Sequence, residues 1–239
     1  MKIILEVQRY NPHADAKPYC QRFAVEAEPT ELVLSVLMRI QETLDPTLSF
    51  RKSCAHGVCG SDGMMIAGKE RLACKTLVKD VLENPNEPIR IEPLRNLPVQ
   101  RDLMVDQAGF FDTYAKVKPF LVNDEEPPAK ERLQSPAEHK KIENGTNCIL
   151  CASCCSACPV LGERADAFLG PAAIVQAARF NEDTRDRGFA QRLPVLDQPD
   201  GVWPCENHFA CTRVCPRGIK VTKHINLTKR RIEKHNKGE

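Results

Sequence analysis

The feature that most constrains this 239-residue chain is a cysteine run that ends in proline, from Cys148 to Pro159. Its spacing is Cys-x-x-Cys-x-x-Cys-x-x-x-Cys-Pro. This is the spacing with which bacterial two-cluster proteins bind iron–sulfur clusters: three thiolates bind one cluster, and the fourth reaches to a second. Because the two clusters exchange ligands, such a run predicts a matching run elsewhere in the chain.

A second run, from Cys205 to Pro216, supplies that match with one change. His208 stands where the second cysteine of the pattern is expected. Since the last cysteine of each run binds the other cluster, one site receives four thiolates and the other only three. The four-thiolate set, for a [4Fe-4S] cluster, is Cys148, Cys151, Cys154 and Cys215. The three-thiolate set is Cys158, Cys205 and Cys211.

The three-thiolate site predicts a [3Fe-4S] cluster, because a cubane without a ligand at one corner tends to lose that iron. The rival interpretation is a four-iron cluster whose fourth iron is bound by the imidazole of His208, since imidazole can bind iron. Cys155 lies inside the first run, where the spacing makes it a spare.

A third group of cysteines lies in the first half of the chain. The plant-type two-iron pattern is Cys-x4-Cys-x2-Cys with a distant fourth cysteine, and Cys54, Cys59 and Cys74 fit it. Asp62 occupies the remaining position, and a carboxylate can ligate ferric iron. We therefore expect a [2Fe-2S] cluster with Asp62 as the fourth ligand.

Another interpretation of Asp62 stays open. Asp62 could merely cap the loop, and Ser61, water or Cys20 could then complete the site. Otherwise Cys20, which lies in a predicted strand, is expected to be a small buried residue. Glycines at positions 57, 60 and 63 would allow the backbone to approach the cluster closely.

The chain contains 12 cysteines but no apolar run near the roughly 18 residues of a membrane helix. The segment Met1–Glu6 is too short and too soon charged for a signal peptide. We therefore expect a reducing compartment and metal or redox chemistry, and we disfavour a secreted disulfide-bonded protein. A structural zinc protein is a further alternative, because Cys-x-x-Cys also suits zinc.

The charge of the chain is uneven. Residues 217–239 carry eight Lys or Arg side chains against two Glu, although the whole chain has a formal charge of only +2. Such a segment can face anionic lipid or nucleic acid, but taken alone it is more typical of a solvated helix.

Apolar periodicity predicts a small α+β unit in the first half. Ile3–Arg9 and Cys20–Ala27 alternate as strands, with Phe23 and Val25 on one face. A helix should follow, with Thr30 as its cap and apolar residues at helical spacing up to Leu44. Ile89–Leu94 reads as a closing strand.

Helical patterns dominate after a predicted domain boundary near residue 104. We expect helices over Asp102–Phe120 and over Ala172–Phe180, the latter started by Gly170-Pro171. Asn123–Glu138 is predicted to be a surface connection, and Asn181–Arg192 a loop or frayed helix.

With these motifs in place, the sequence resembles the iron–sulfur subunit of succinate dehydrogenase and quinol–fumarate reductase. The resemblance implies an α+β chain: a β-grasp, plant-type [2Fe-2S] ferredoxin domain over residues 1–104 and a mainly α-helical, bacterial-type two-cluster ferredoxin domain over 105–239. The segments that carry it are Arg9-Tyr10-Asn11-Pro12, Ser53 to Ser61, Leu72-Ala73-Cys74, Arg101-Asp102-Leu103, Val105-Asp106, Cys148-Ile149-x-Cys151, Gly170-Pro171-Ala172 and Gly201-Val202-Trp203.

The resemblance also implies partners. These are a flavoprotein with FAD and the dicarboxylate site, and a membrane anchor with the quinone site, the quinone expected to be menaquinone, with haem as a further possible group. It places Pro159, Lys229 and His208 near the quinone and turns the basic segment towards the membrane. The chain itself is expected to have no transmembrane segment, to bind no nucleic acid, and to lie peripherally on the cytoplasmic face of the bacterial inner membrane.

Two features bear on the direction of electron flow. Gly170 to Ile174 and Arg179 to Asp186 look closer to fumarate reductases, whereas Asp62 resembles some bacterial succinate dehydrogenases. We expect quinol:fumarate reductase activity of the complex, with no substrate chemistry in this chain. The alternatives are the same relay run as a succinate:quinone dehydrogenase and, more remotely, a soluble polyferredoxin.

Overall fold

The computed structural model describes residues 1–82, 84, 87–164 and 167–238. Its backbone contacts divide the chain into two compact units. Unit 1 comprises Met1–Gln107 together with the short segment Ile149–Ser156, and unit 2 comprises Ala108–Cys148 with Ala157–Glu239, of which Glu239 lies outside the described residues.

Unit 1 is built on a five-stranded sheet in the order β2-β1-β5-β3-β4. β1 pairs parallel to β5, and the other neighbours pair antiparallel. β5 therefore lies at the centre of the sheet, where both of its edges are paired. The strands are β1 (Lys2–Arg9), β2 (Tyr19–Glu26), β3 (Gly63–Ile66), β4 (Lys69–Leu72) and β5 (Ile89–Glu92).

Helix α1 (Val33–Thr43) packs its apolar residues into the core of this sheet. Val36, Leu37 and Ile40 are fully buried beside Ile3 and Leu5 of β1. Alternation in the strands and a spacing of three and four in the helix bring the apolar side chains to one layer. The sheet with its packed helix confirms the predicted α+β first domain.

Two details at the ends of α1 differ from the sequence prediction. Leu32, not Thr30, precedes the helix, and no side chain caps it. The N–H of Val33 instead donates to the carbonyl of Thr76, at 2.9 Å, so the helix start is fixed by a distant segment. Leu44, predicted as the last apolar residue of the helical pattern, lies just past the helix end and is 53% exposed.

The segment after β5 departs further from the sequence prediction than the ends of α1 do. Asp102 does not begin a helix; it takes a positive φ of 46° in the turn between β6 (Val99–Arg101) and β7 (Met104–Val105). Helix α2 begins at Ala108 and ends at Lys116. The side chain of Asp102 accepts hydrogen bonds from Arg9 Nε and from the N–H groups of Tyr10 and Ser49, and this network holds the turn.

Unit 2 is helical, and helix α6 (Pro171–Asn181) is buried along most of its length. α2, α3, α7 and α9 all pack against it. Gly170, with φ 91°, and Pro171 start the helix as predicted. The other α-helices among the described residues are α3 (Pro136–Thr146), α4 (Ser153–Ser156, in unit 1), α5 (Pro159–Glu163), α7 (Phe189–Leu196), α8 (Ala210–Arg213) and α9 (Val221–Asn236).

Two predicted irregular segments are more ordered than expected. The connection Asn123–Glu138 ends early, because Ser135 and Glu138 form a capping box that starts α3. In Asn181–Arg192, the Arg192 guanidinium is fully buried and pairs with the Asp186 carboxylate at 2.7 Å. It also donates to the carbonyls of Val117 and Phe120, so this polar segment fixes the chain that follows α2.

The basic segment forms α9, and it is not solvated all round. Ile225 and Ile232 are buried against the unit 2 core, whereas Lys223 and Arg230 on the same helix are exposed. Within the part of the chain that the structure describes, none of the helices combines the length and apolar character required to cross a bilayer.

Candidate iron–sulfur sites

The loop from Cys54 to Cys59 surrounds one thiol with backbone donors. Cys54 Sγ accepts hydrogen bonds from the N–H groups of His56, Val58 and Cys59, at 3.5, 3.4 and 3.3 Å. These donors lower the pKa of Cys54 to about 6, with the His56 N–H as the largest cause. The thiolate, which is the form that binds metal, is therefore favoured at neutral pH.

The conformation of this loop depends on positive φ angles. Ala55, Gly57 and Gly60 have φ of 56°, 79° and 69°. A Cβ atom at Gly57 would lie 2.8 Å from the side chain of Lys75. The positive φ at Gly57 and Gly60 favours glycine, and a side chain at Gly57 would also displace Lys75. Non-glycine residues held at positive φ, such as Ala55, concentrate at functional sites.

Asp62 lies next to Cys74 with one oxygen unused. The carboxylate is 2% exposed. Its Oδ2 accepts a 2.6 Å hydrogen bond from the N–H of Cys74, and its buried Oδ1 has no hydrogen-bond partner. Burial, and then the Asp62 carboxylate, raise the pKa of Cys74 to about 12. A buried acceptor without a donor is costly, and the carboxylate also opposes ionisation of the neighbouring thiol. An iron ion bound to both groups would remove both costs.

The alternative ligands for this site differ in position. Ser61 Oγ lies 3.2 Å from Cys59 Sγ, so the hydroxyl is close to one proposed ligand. Cys20 is exposed on β2, opposite Gln8 of β1, so its expected burial is wrong. Phe23 and Val25 point inward on this strand, and alternation therefore turns Cys20 outward.

The segment Ile149–Ser156 packs within unit 1. Cys151 is buried in the same core as α1 and β1. Leu150 and Ala152, on either side of it, have φ of 53° and 63°. Residues at positive φ on both sides of a buried cysteine indicate a backbone that is wrapped to present the thiol.

In unit 2, the cysteines of the three-thiolate set line a common cavity. Cys158, Cys205 and Cys211 border an empty volume of about 320 Å³, which includes its opening to solvent, and Phe168 and Ile225 make part of its wall apolar. His208 also lines the cavity. Its side chain is 45% exposed and its Nε2 lies 3.3 Å from the Glu206 carboxylate.

The loop from Cys205 to Cys215 shares features with the first two. Asn207 and Phe209 have positive φ, 61° and 59°. Burial raises the pKa of Cys211, whose Sγ lies 3.5 Å from the hydroxyl of Thr222. Cys215 Sγ accepts the N–H of Ile219 at 3.4 Å. Hydrogen bonds to ligand sulfurs are one means of setting a cluster's reduction potential.

All three residues expected near quinone, His208 among them, lie at the three-thiolate cavity or its loop. Pro159 lines the cavity and is the first residue of α5. Lys229 Nζ donates to the carbonyl oxygens of Cys205, at 2.8 Å, and Trp203, at 3.4 Å. Sequence reasoning missed this role of Lys229 in holding the loop, because no local pattern links residues 24 positions apart.

Among the described residues, no three His, Cys, Asp or Glu side chains converge closely enough to bind a single metal ion. A cluster does not need such convergence, because its thiolates bind different iron atoms around a shared core. The backbone donors to Cys54, the unpartnered Oδ1 of Asp62 and the cysteine-lined apolar cavity all fit iron–sulfur clusters.

Comparisons with known proteins agree with this class of site. Residues 4–112 match the family model of a 2Fe-2S iron-sulfur cluster binding domain, and residues 144–219 match that of a 4Fe-4S dicluster domain. The fold and sites therefore define an iron–sulfur electron-transfer protein.

Full-length relatives narrow the class. The chain is 42% identical over 221 residues to the succinate dehydrogenase iron-sulfur subunit of Coxiella burnetii, covering 92% of each protein. It is 44% identical over 220 residues to the fumarate reductase iron-sulfur subunit of Mycobacterium tuberculosis, covering 91% of this chain and 87% of the relative. A chain of the Mycobacterium smegmatis Sdh1 complex in the apo form superposes with a TM-score of 0.88 at 27% identity, covering 100% and 98% of the two chains.

The chain belongs to the family of iron–sulfur subunits of succinate dehydrogenase and fumarate reductase. It is thus an electron-transfer subunit of an oxidoreductase complex, as the sequence indicated. Family membership confirms the expected set of [2Fe-2S], [4Fe-4S] and [3Fe-4S] clusters.

Proposed function

We propose that this subunit passes single electrons from quinol in a membrane anchor to FAD in a flavoprotein partner, in the direction of fumarate reduction. The observation that carries the proposal is the apolar cavity lined by Cys158, Cys205 and Cys211, whose lining, among the described residues, offers three cysteine sulfurs and no fourth. When bound, the three clusters would each carry one electron at a time, so that two-electron quinol and flavin chemistry is divided into single steps.

The ligand assignment is part of this proposal. Each ligand set gives its cluster a different protein environment. The residues of the chain bind the clusters and tune their reduction potentials, and they carry out no substrate chemistry. The [2Fe-2S] ligands are Cys54, Cys59, Asp62 and Cys74; those of [4Fe-4S] are Cys148, Cys151, Cys154 and Cys215; those of [3Fe-4S] are Cys158, Cys205 and Cys211.

Residues around the ligands have separate tasks in this scheme. The N–H groups of His56, Val58 and Cys59 stabilise the Cys54 thiolate. Apolar residues around the three-thiolate cavity limit water near the cluster and so influence its potential. Lys229 holds the carbonyl of Cys205, which orients the loop that carries this ligand.

The proposed quinone side of the chain is the three-iron side. His208 and Pro159 line the same cavity as the three thiolates, and Lys229 contacts the adjoining loop. A quinone in the anchor could therefore receive polar contacts close to the first electron acceptor. The exposed lysines and arginines of α9 suit a position at the cytoplasmic face of an anionic membrane.

Several finer parts of the proposal rest on the resemblance. They are menaquinone as the electron donor and haem as a group of the anchor. The domain boundary near residue 104, between a 1–104 and a 105–239 domain, is proposed instead from the helical pattern that follows it. Similarity of the α6 region to fumarate reductases supports the direction, and the M. tuberculosis relative carries that name. The C. burnetii relative is named a succinate dehydrogenase, and the same relay run in reverse is the second candidate.

Purification of the complex with its partners and quinone tests the direction. Fumarate reduction by reduced menaquinone analogue should exceed succinate oxidation by the oxidised analogue, and redox titration should place the clusters near the potential of a low-potential quinone. Faster succinate oxidation, with a high-potential quinone in the preparation, would assign the reverse direction. Purification of the iron-containing chain alone, without a flavoprotein partner, would instead favour the soluble polyferredoxin alternative.

A further inference from the structure

The segment Ile149–Ser156 is fastened to unit 1 by a small set of polar contacts. Ser156 Oγ donates to the Glu70 carboxylate and accepts the N–H of Arg95, both at 2.9 Å. The side-chain amide of Asn96 donates to the carbonyls of Cys155 and Ser156, both at 3.0 Å. These contacts fix Cys151, a few residues earlier, against the rest of the unit.

Cys151 contacts two glycines of the loop that carries Cys59 and Asp62. A Cβ atom at Gly60 would lie 2.7 Å from Cys151 Cβ and 3.0 Å from its Cα. A Cβ atom at Gly63 would lie 3.1 Å from the carbonyl oxygen of Cys151. A side chain at Gly60 would therefore overlap Cys151, and one at Gly63 would crowd its carbonyl oxygen.

Turn geometry explains only one of these glycines. Gly60 has a positive φ of 69°, which favours glycine in any case. Gly63 begins β3 and its φ lies outside the left-handed region, so its conformation admits other residues. What the two positions share is contact with Cys151, so the space for that cysteine accounts for both.

We propose that Gly60 and Gly63 are positioning residues that set the electron path between the two-iron and four-iron clusters, through Cys59, Gly60 and Cys151. The inference rests on the proposed ligand roles of Cys59 and Cys151. One electron passes along this path, so the four-iron site is oxidised and the two-iron site reduced. No bond forms or breaks, and no proton moves.

The test uses the whole purified complex with Gly60→Ala and Gly63→Ala. After full chemical reduction, the EPR signal of the two-iron cluster should relax rapidly in the wild type, because the nearby reduced four-iron cluster enhances its relaxation. Displacement of Cys151 in either variant should weaken this enhancement, so the signal saturates at lower microwave power, while iron content and both cluster signals persist.

Gly68→Ala is the matched control. Gly68 has a similar positive φ of 75°, and a Cβ atom there would meet no atom within 4 Å. It therefore imposes the backbone strain of Gly60→Ala without touching Cys151, and the power saturation of the two-iron signal should remain that of the wild type.

The outcomes separate the proposal from general damage. If Gly60→Ala prevents the two-iron cluster from assembling, Gly63→Ala, which requires a smaller displacement, decides. Wild-type saturation behaviour in Gly63→Ala, with both clusters present, would overturn the inference, as would equal changes in Gly68→Ala.

Failure of the ligand assignment has a different signature. Cys151→Ala, which removes any ligand at this position, would then leave the four-iron signal intact. The direction of physiological electron flow does not enter, because the relaxation measurement is made on the fully reduced complex without turnover.

Discussion

Asp62 and Cys74 share a single 2.6 Å hydrogen bond, from the Cys74 N–H to Asp62 Oδ2, which leaves the buried Oδ1 of Asp62 without a donor. A residue that only caps a loop has no use for this second oxygen. A residue that binds iron does.

Asp62→Asn and Asp62→Cys distinguish these two roles. The asparagine carbonyl can still accept the Cys74 N–H, so a capping role would survive the change, whereas a neutral amide is a poor ligand for ferric iron. We expect Asp62→Asn to lower two-iron content and Asp62→Cys to retain the cluster with a shifted EPR spectrum and potential, both measured by redox-titrated EPR.

Ser61→Ala is the control, since Ser61 Oγ lies 3.2 Å from Cys59 Sγ. It should retain the cluster. Loss of the cluster in Ser61→Ala together with a wild-type spectrum in Asp62→Asn and Asp62→Cys would transfer the ligand role to the serine.

His208→Cys should convert the three-iron cluster to a four-iron cluster and lower its potential. A fourth thiolate would bind the open corner and add negative charge, which makes reduction less favourable. EPR of the oxidised complex reads this directly, because the three-iron signal should disappear. His208→Ala is the companion variant: an unchanged three-iron signal there shows that the imidazole is no ligand, and loss of a four-iron signal would show the opposite.

Lys229→Ala should reduce quinol-linked fumarate reduction by about 10- to 100-fold, because a hydrogen bond from a charged group to the quinone would contribute roughly 1.5–3 kcal/mol. Turnover with an artificial electron donor should be spared if Lys229 acts on quinone. Because Nζ also holds the Cys205 carbonyl, the three-iron EPR signal must be followed in the same preparation.

Two variants on the same helix complete the Lys229 experiment. Lys229→Arg retains a donor and should lose less activity, and exposed Lys223→Ala should behave as wild type. Equal loss with quinol and with the artificial donor, together with an altered three-iron signal, would assign Lys229 to the loop and remove it from the quinone site.

Arg192→Met should destabilise unit 2 by about 3–5 kcal/mol, because it leaves the Asp186 carboxylate buried without its partner. The two side chains are 0% and 1% exposed. Thermal or denaturant unfolding of the purified subunit measures this. Arg187→Met, which breaks the exposed Arg187–Glu125 pair, should have a much smaller effect; similar losses in the two variants would contradict the argument.

Local periodicity predicted β1, β2 and α6 well, because each buries residues in the simple repeat of its own geometry. It failed where hydrogen bonds from residues distant in the sequence determine the local structure. Asp102 was expected in a helix, but hydrogen bonds from Tyr10 and Ser49, about 92 and 53 positions away, hold it in a turn at positive φ.

At the candidate sites, too, local sequence patterns predicted some features, and tertiary packing determined the others. Cysteine spacing alone brought Cys158, Cys205 and Cys211 into one prediction, and all three line one cavity. It could not show that Lys229 supports the Cys205 loop or that Arg192 is buried in a segment of polar residues, because those contacts depend on tertiary packing. The exposure of Cys20 was available from the alternation of β2, since the strand's inward positions are those of Phe23 and Val25.

The interrupted course of unit 1 has a practical consequence for anyone who divides this chain. A fragment that stops at Gln107 lacks Ile149 and Cys151, and so leaves uncovered part of the apolar core that these residues complete. A chimaera between two relatives joined at the same point would set one parent's Gly60 against the other parent's Cys151. Fragments and hybrids should therefore be designed so that residues 149–156 always come from the same parent as the sheet.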